Sequence, residues 1–293
     1  MSAQVLAIDL GGTRCRAGLA DLANPAAVES VGDWAAPTTR SAFLTLLSKQ
    51  IAEHGATHLG IGIPGLARGS VCRWVPNLPY LDGLDLAEAF PDITIGLGND
   101  AQLALLAEVA AGAAVGLNDA ILLAIGTGIG SAVLTGGRIV AGSNGGACSF
   151  GWAAADLDDP GEDRSGWLER QASGRALDAA AHGLGLEDGT ALVAAARAGN
   201  AEARAALAVP MHALGTTLAG AVALLDPEAV ILAGGVAASF DVLAPLVLDA
   251  LQWQLPPHLR AIELRPGQFG PKAGLVGAAV AGARGPSWRN DNG

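Results

Sequence analysis

The chain is poor in the residues that would tie it to a disulfide scaffold, a metal cluster or a nucleic acid. It has three cysteines, Cys15, Cys72 and Cys148. Their wide spacing and odd number exclude a disulfide framework and a Cys-x-x-Cys metal site, and they fit a reducing compartment. The five histidines show no metal-ligand spacing. Aromatics are only 4% of the chain, and the six tryptophans are scattered rather than grouped into a stacking platform. Basic charge is scarce too: the formal net charge is -11. A broad nucleic-acid surface needs a basic face, so no nucleic-acid partner is expected. The acidity bears on solubility and says nothing about fold. No apolar run reaches the about 18 residues of a membrane span. Asp9 is reached without a basic leader segment. The expectation is a cytoplasmic protein without a membrane partner.

Several motifs are also missing. No Gly-x-x-x-x-Gly-Lys stretch occurs, which disfavours a Walker-type nucleotidase. Gly126-Thr127-Gly128-Ile129-Gly130 lacks the Gly-x-Gly-x-x-Gly spacing of a dinucleotide fold. Ala141-Gly142-Ser143-Asn144-Gly145 departs from a nucleophile elbow: its first glycine is absent, glycines follow where a helix should, and no histidine is near in sequence.

What the chain does have is apolar bulk and glycine turns. Hydrophobic residues are 51% of its 293 positions, enough for a large core and long enough for two lobes. Three glycine turns each follow a short apolar run. Asp9-Leu10-Gly11-Gly12-Thr13 follows Val5–Ile8, Gly126–Gly130 follows Ala120–Ile125, and Gly234-Gly235 follows Ala229–Ala233. Such turns bring backbone N–H groups to a strand end with no side chain in the way, as a phosphate cradle requires. Each taken alone also reads as an ordinary turn.

Periodicity predicts a strand over 3–9 with Cys15–Ala20 as its hairpin partner. It predicts a helix over 39–54, stopped by Gly55, and strands over 58–63 and 92–97, the second followed by a helix over 101–111. A second unit repeats the theme: strand, glycine turn at Gly126, and a hairpin with Gly136-Gly137 at its tip. Residues 143–165 read as long loops. Helices are expected over 166–181, 188–198 and 201–225, then a strand 229–233, a helix 241–253, a strand 261–265 and a helix 273–283. Residues 285–293 are expected to be disordered. Strands followed by helices in this order predict an α/β fold.

Asn99-Asp100 follows a strand and precedes a helix. An acid there faces the ligand side of an α/β sheet, and it equally suits a helix cap; both roles are compatible. Asp9 is a hard oxygen donor for Mg²⁺, directly or through water.

Taken in order, these stretches resemble the ROK family of sugar kinases, over roughly residues 3 to 283. The resemblance rests on Asp9–Thr13, Gly62-Ile63-Pro64-Gly65, Pro76-Asn77-Leu78-Pro79, Gly98-Asn99-Asp100-Ala101, Gly126–Gly130, Leu168-Glu169 with Ala172–Leu177, and Leu232–Val236. It implies a two-lobed actin/hexokinase-like (ribonuclease H-like) ATPase fold with a central cleft. Residues 1–115 with a helix at 274–284 would form the small lobe, and 116–273 the larger one. It implies ATP- and Mg²⁺-dependent phosphorylation of a hydroxyl of a hexose or a hexose-like compound such as an amino sugar or cyclitol. Asp100 would be the general base. Asn77, Asn99, Asp100 and Glu169 would contact the sugar. Gly11, Gly12, Thr13, Gly126, Thr127, Gly128, Gly234 and Gly235 would lie along the nucleotide. Family members commonly form dimers or tetramers, so a homodimer is expected.

One stretch departs from the family. Where its members carry Gly-Glu-x-Gly-His, this chain has Cys148-Ser149-Phe150-Gly151-Trp152. The zinc-binding cysteine loop is replaced by Pro160–Trp167, which holds no cysteine. The expectation is no zinc, Trp152 and Trp167 packed into the vacated space, and Ser149 and Trp152 at an altered end of the sugar pocket. The rival reading is a non-catalytic sugar-binding or regulatory relative. With eight residues ahead of Asp9, the helix-turn-helix of such regulators is not expected.

Overall fold

The computed structural model describes residues 3–289. The chain divides into two compact units. The first holds residues up to Gly116, Ala132–Ala147 and the chain from Pro271; the second holds Leu117–Ser131 and Cys148–Gly270. The first division, after Gly116, falls one residue from the expected one, whereas the stretch 132–147, expected in the larger lobe, belongs with the first unit.

The first unit opens with a meander: β1 (Gln4–Leu10), β2 (Arg14–Asp21) and β3 (Asn24–Ala35). Helix α1 (Arg40–His54) is cut out by its flanking residues. The Thr39 side chain accepts from the Ala42 N–H, and Gly55 takes the left-handed conformation that a C-terminal cap requires. There follow β4 (His58–Ile63), a small ribbon of β5 (Leu66–Arg68) and β6 (Val71–Trp74), the short α2 (Leu86–Ala89), β7 (Thr94–Asn99) and α3 (Asp100–Ala111). The sheet order is β3-β2-β1-β4-β7. The meander is antiparallel, whereas β1, β4 and β7 run parallel. Parallel strands buried on both faces read as continuous apolar runs, as in Val5–Ile8 and Leu59–Ile63.

In the second unit, β8 (Ala120–Ile125) leads through the Gly126 turn into β9 (Ile129–Thr135), which ends in the first unit's residues and turns at Gly136-Gly137 into β10 (Arg138–Ile139). Both tip glycines have positive φ, as a tight hairpin demands. Helices α4 (Trp167–Ala172), α5 (Gly174–Gly183), α6 (Gly189–Arg197) and α7 (Ala201–Leu225) precede β11 (Ala229–Gly234); α8 (Phe240–Gln254) and β12 (Glu263–Pro266) follow it. Strands β8, β11 and β12 are parallel neighbours. Two helical stretches, Ala201–Leu225 and Gly235–Gln254, are long and apolar enough to cross a membrane by length and composition alone, which the search for unbroken apolar runs missed. One face of α7 is core: Leu207, Met211, Leu214, Leu218 and Val222 are buried.

Helix α9 (Ala273–Arg284) returns to the first unit and lies flat on its sheet. The approach is close because glycines stand on both sides. A Cβ at Gly60 of β4 would run into the Ala278 backbone, and one at Gly96 of β7 into Ala281. Expected disorder from residue 285 gives way at 285–289. A 3-10 turn forms at Gly285–Ser287, and Trp288 is buried at 1% exposure. A large indole with a hydrogen-bond partner inside the core holds the segment down. Residues 290–293 of that expectation lie outside the described residues.

Candidate active site

The candidate functional residues form two constellations, one in each unit. In the first, the parallel strands end in a row: Asp9 of β1 pairs with Gly62 of β4, and Gly62 with Gly98 of β7. Asp9 and Asn99-Asp100 therefore stand at the carboxyl ends of β1 and β7, either side of β4. The Asp9 side chain is 20% exposed, and Oδ2 lies 3.6 Å from Arg16 Nη1, its cross-strand partner. Room for the carboxylate comes from missing side chains, since a Cβ at Gly274, in the first turn of α9, would sit 2.9 Å from Asp9 Oδ1. Burial pushes the Asp9 carboxyl above its ordinary range and the Arg16 charge opposes this.

Asn99 is a cap. Its Oδ1 accepts from the N–H groups of Ala101 (3.0 Å) and Gln102 (3.4 Å), and its Nδ2 donates to Gly65 O at 3.1 Å. The cap starts α3 at Asp100, whose carboxylate accepts from Ala101 N–H at 2.8 Å. Asp100 opens to solvent, yet the protein crowded around it raises its carboxyl to about 6. Desolvation is the first cause and the Asp9 charge adds to it. The Gly11-Gly12-Thr13 turn is closed by Gly11 N–H donating to Arg14 O at 2.8 Å. It leaves Gly12 and Thr13 exposed, with Asn77 beside Gly12: a Cβ there would sit 3.5 Å from Asn77 Cβ.

In the second unit the other two turns meet. Gly234 of β11 is in register with Ile125 of β8, and its φ of 77° and the backbone of Ile125 2.6 Å from a Cβ both demand glycine. The Gly126 turn is knitted to α5: Gly126 O accepts from Gly174 N–H at 2.7 Å and Thr127 O from Arg175 Nε at 3.0 Å. A Cβ at Gly126 would meet no atom within 4 Å, so its outer side is open. A helix N-terminus and a guanidinium at an exposed glycine turn favour an anion.

Glu169 belongs to the same turn. Its Oε2 accepts from Ile129 N–H at 3.2 Å, its Oε1 lies 3.9 Å from Arg175 Nη2, and its side chain is 23% exposed. A Cβ at Gly151 would be 3.5 Å from Glu169 Oε2, which brings the turn Phe150–Trp152 to the same place. That turn is fixed by Ser131, whose hydroxyl donates to Cys148 O and accepts from Phe150 N–H at 3.0 Å. Ser149 is exposed. Trp152 is 53% exposed, so it does not fill a vacated interior as expected; Trp167 is the half-buried one of the pair.

Two features escaped the sequence reading. Cys148 has φ of 68°, a left-handed conformation at a non-glycine residue. The signal was available, because the family pattern puts glycine there. Arg170 was also missed. It grips Asp159 through both carboxylate oxygens at 2.7 and 2.6 Å and donates to Ser165 O at 2.7 Å, which shapes the loop where the family's cysteines would stand. Nothing local in the sequence pairs these residues.

Comparison with known proteins gives the family and the fold. The ROK family model matches residues 5–283, and the chain belongs to the ROK family. It is 28% identical to a glucokinase of Streptomyces coelicolor, over 94% of this chain and 96% of that protein. It is 30% identical to an N-acetylmannosamine kinase of Shigella boydii, over 94% and 97%. The crystal structure of a ROK glucokinase of Streptomyces griseus with glucose and AMPPNP superposes with a TM-score of 0.79 at 26% identity, covering 97% of this chain and 100% of that one. The fold is the actin/hexokinase-like one.

Proposed function

We propose that this chain is an ATP-dependent carbohydrate kinase with Asp100 as its general base. The observation that carries the reading is the placement of Asp100: a solvent-open carboxylate at a strand end, capped into the first turn of α3, with its carboxyl raised to about 6. A base must accept a proton at working pH, and a value near neutrality suits that task. The acceptor hydroxyl gives its proton to Asp100. Its oxygen bonds to the γ-phosphorus as the bond from that phosphorus to the ADP oxygen breaks. Phosphoryl transfer asks the protein mainly for positioning and charge neutralisation.

The other residues divide by what they offer. The Gly11–Thr13 and Gly126–Gly128 turns, the α5 N-terminus and Arg175 suit phosphate oxygens, and Gly234-Gly235 the nucleoside end. Asp9 fits Mg²⁺: it is a partly exposed hard donor whose ion-pair partner among the described residues is a guanidinium 3.6 Å away. When bound, that ion draws charge from the phosphates and makes the γ-phosphorus more electrophilic. Asn77, Asn99 and Glu169 suit sugar hydroxyls. Ser149 and Trp152, in place of the family's glutamate and histidine, alter one end of the acceptor site. Serine in place of a carboxylate costs about 1–3 kcal/mol for a hydroxyl that needs the stronger acceptor. The acceptor is therefore a modified sugar, an amino sugar or a cyclitol in preference to plain glucose.

The test is ADP release from ATP and Mg²⁺ over a panel of glucose, N-acetylmannosamine, other amino sugars, ketoses and cyclitols. Turnover of one non-glucose acceptor well above the others is the expected result. Efficient turnover of glucose at a low KM would sink the altered-pocket reading, and no turnover of any acceptor would sink the kinase reading.

A further inference from the structure

We propose that Trp288 and Arg289, just beyond α9, are positioning residues for Asp100, clasping the end of β7 and the first turn of α3 from behind. The inference rests on the kinase reading above.

The contacts bracket the Asn99-Asp100 pair. Trp288 Nε1 donates to Leu97 O at 3.0 Å. The indole also fills the space that a side chain at Gly98 would need, since a Cβ there would sit 2.8 Å from Trp288 Cζ2. Arg289 stacks its guanidinium 4.2 Å from the Trp288 ring centroid and donates through Nη2 to Gln102 Oε1 at 3.1 Å. Gln102 is 2% exposed and carries the link onward through Nε2 to Val140 O at 3.4 Å. Its own N–H is held by the Asn99 cap. Residues 97, 98 and 102 are thus each engaged by one short segment, with the acid between them.

The arrangement is expensive if it serves packing alone. A guanidinium removed from water wants a carboxylate, and among the described residues none pairs with Arg289; its Nε is buried without a partner. An apolar side chain over Trp288 would plug the same space at less cost. What the guanidinium adds is a directed bond to the first turn of α3. The first turn sets where the Asp100 carboxylate points, and small misplacements of a proton acceptor are costly to rate.

The test uses the full chain with ATP, Mg²⁺ and the best acceptor of the panel, comparing Arg289→Met, Arg289→Lys and Trp288→Phe with Asp100→Asn. Arg289→Met should lower kcat about tenfold with the KM for ATP unchanged. Hydrogen exchange should quicken at the amides of Ala101 and Gln102. Arg289→Lys, which still reaches Gln102, should recover part of both. Trp288→Phe removes the indole N–H bond to Leu97 O and the part of the indole that lies against Gly98, so it reports on the same clasp even if Arg289→Met folds poorly. Native melting with wild-type kcat in both Arg289→Met and Trp288→Phe overturns the clasp. So does a kcat loss that Arg289→Lys fails to relieve and that leaves exchange at 101 and 102 unchanged. Retained turnover in Asp100→Asn overturns the base reading and this role with it, whereas an inactive Asp100→Asn beside an unimpaired Arg289→Met removes the clasp alone.

Discussion

Asp100→Asn should inactivate the protein and also stabilise it. The carboxyl of Asp100 is raised from 3.8 to about 6: desolvation is the main cause, the Ala101 N–H bond opposes it and the Asp9 charge adds to it. Its folded value lies above its unfolded one, so the native state holds the proton more tightly. Stability from this group is therefore fully present below about pH 4 and is lost as pH rises through about 6. This is the reverse of Asp33 and Asp241, whose arginine partners lower their carboxyls and whose contribution is lost on acidification. A shift of about two units corresponds to about 3 kcal/mol as a ceiling. Asp100 opens to solvent, and screening reduces this to about 1 kcal/mol. Asparagine keeps an oxygen for the Ala101 N–H bond of 2.8 Å and removes the charge. At pH 7 the variant should melt about 2 °C higher than the parent. Paired thermal melts from pH 4 to 8 give the difference directly, and the gap should close towards pH 4. A gap that is absent, reversed or constant with pH would refute the assignment of a raised carboxyl. Such a trade of stability for function is a common mark of active sites.

Three further substitutions probe the packing around the site. Gly128→Ala puts a methyl 2.8 Å from Glu169 Oε2, so it should raise the KM for the acceptor sugar along with that for ATP, read by steady-state kinetics. Gly60→Ala drives a methyl into the Ala278 backbone of α9 and should cost about 3 kcal/mol in chemical denaturation, with little change if α9 is free to lift. Cys148→Gly relieves the left-handed φ of 68° and should raise stability by about 0.5–1 kcal/mol, again by denaturation.

Legibility followed locality. Thr39 and Gly55 mark the ends of α1 because a cap needs only its own neighbours. Strand β4 has the bounds expected for it, since the five consecutive apolar residues and glycines after His58 suit a strand buried on both faces. Strand β3 was missed: it is an edge strand with no residue fully buried, and it carries Pro25 and Gly32, which argue against a strand when read alone. The helix expected over 166–181 breaks at Ser173, which is extended at ψ 171° so that Gly174 N–H can reach Gly126 O. That partner is 48 residues away and left no local trace. Residues 132–147 join the first unit for a similar reason. Val140 O meets Gln102, and Gly145 lies against the Ala67 backbone with no room for a Cβ. In the site, the strand-end acids and glycine turns were legible, while Arg170–Asp159 and the Trp288–Arg289 segment depend on partners that sequence order does not reveal.

The glycines of the two constellations do not all serve one purpose. Gly126 has open space where a side chain would stand, and Gly234 has a positive φ. These two fit a turn that must admit a phosphate or bend sharply. Gly128 and Gly274 are different: neither has a positive φ, and at each a methyl would press on a carboxylate, Glu169 at 2.8 Å and Asp9 at 2.9 Å. Their missing side chains make room for acids. In each unit, then, an acid is seated against backbone by a glycine from another segment. A seated acid has few rotamers to lose when a ligand arrives, so the entropic cost of ordering it was met during folding. Glu169 is seated, through Ile129 N–H, on the same turn that we propose to bind phosphate. In the kinase reading, a shift of that turn on nucleotide binding must move a sugar contact, and occupancy of the sugar site must in turn alter nucleotide affinity by the same factor.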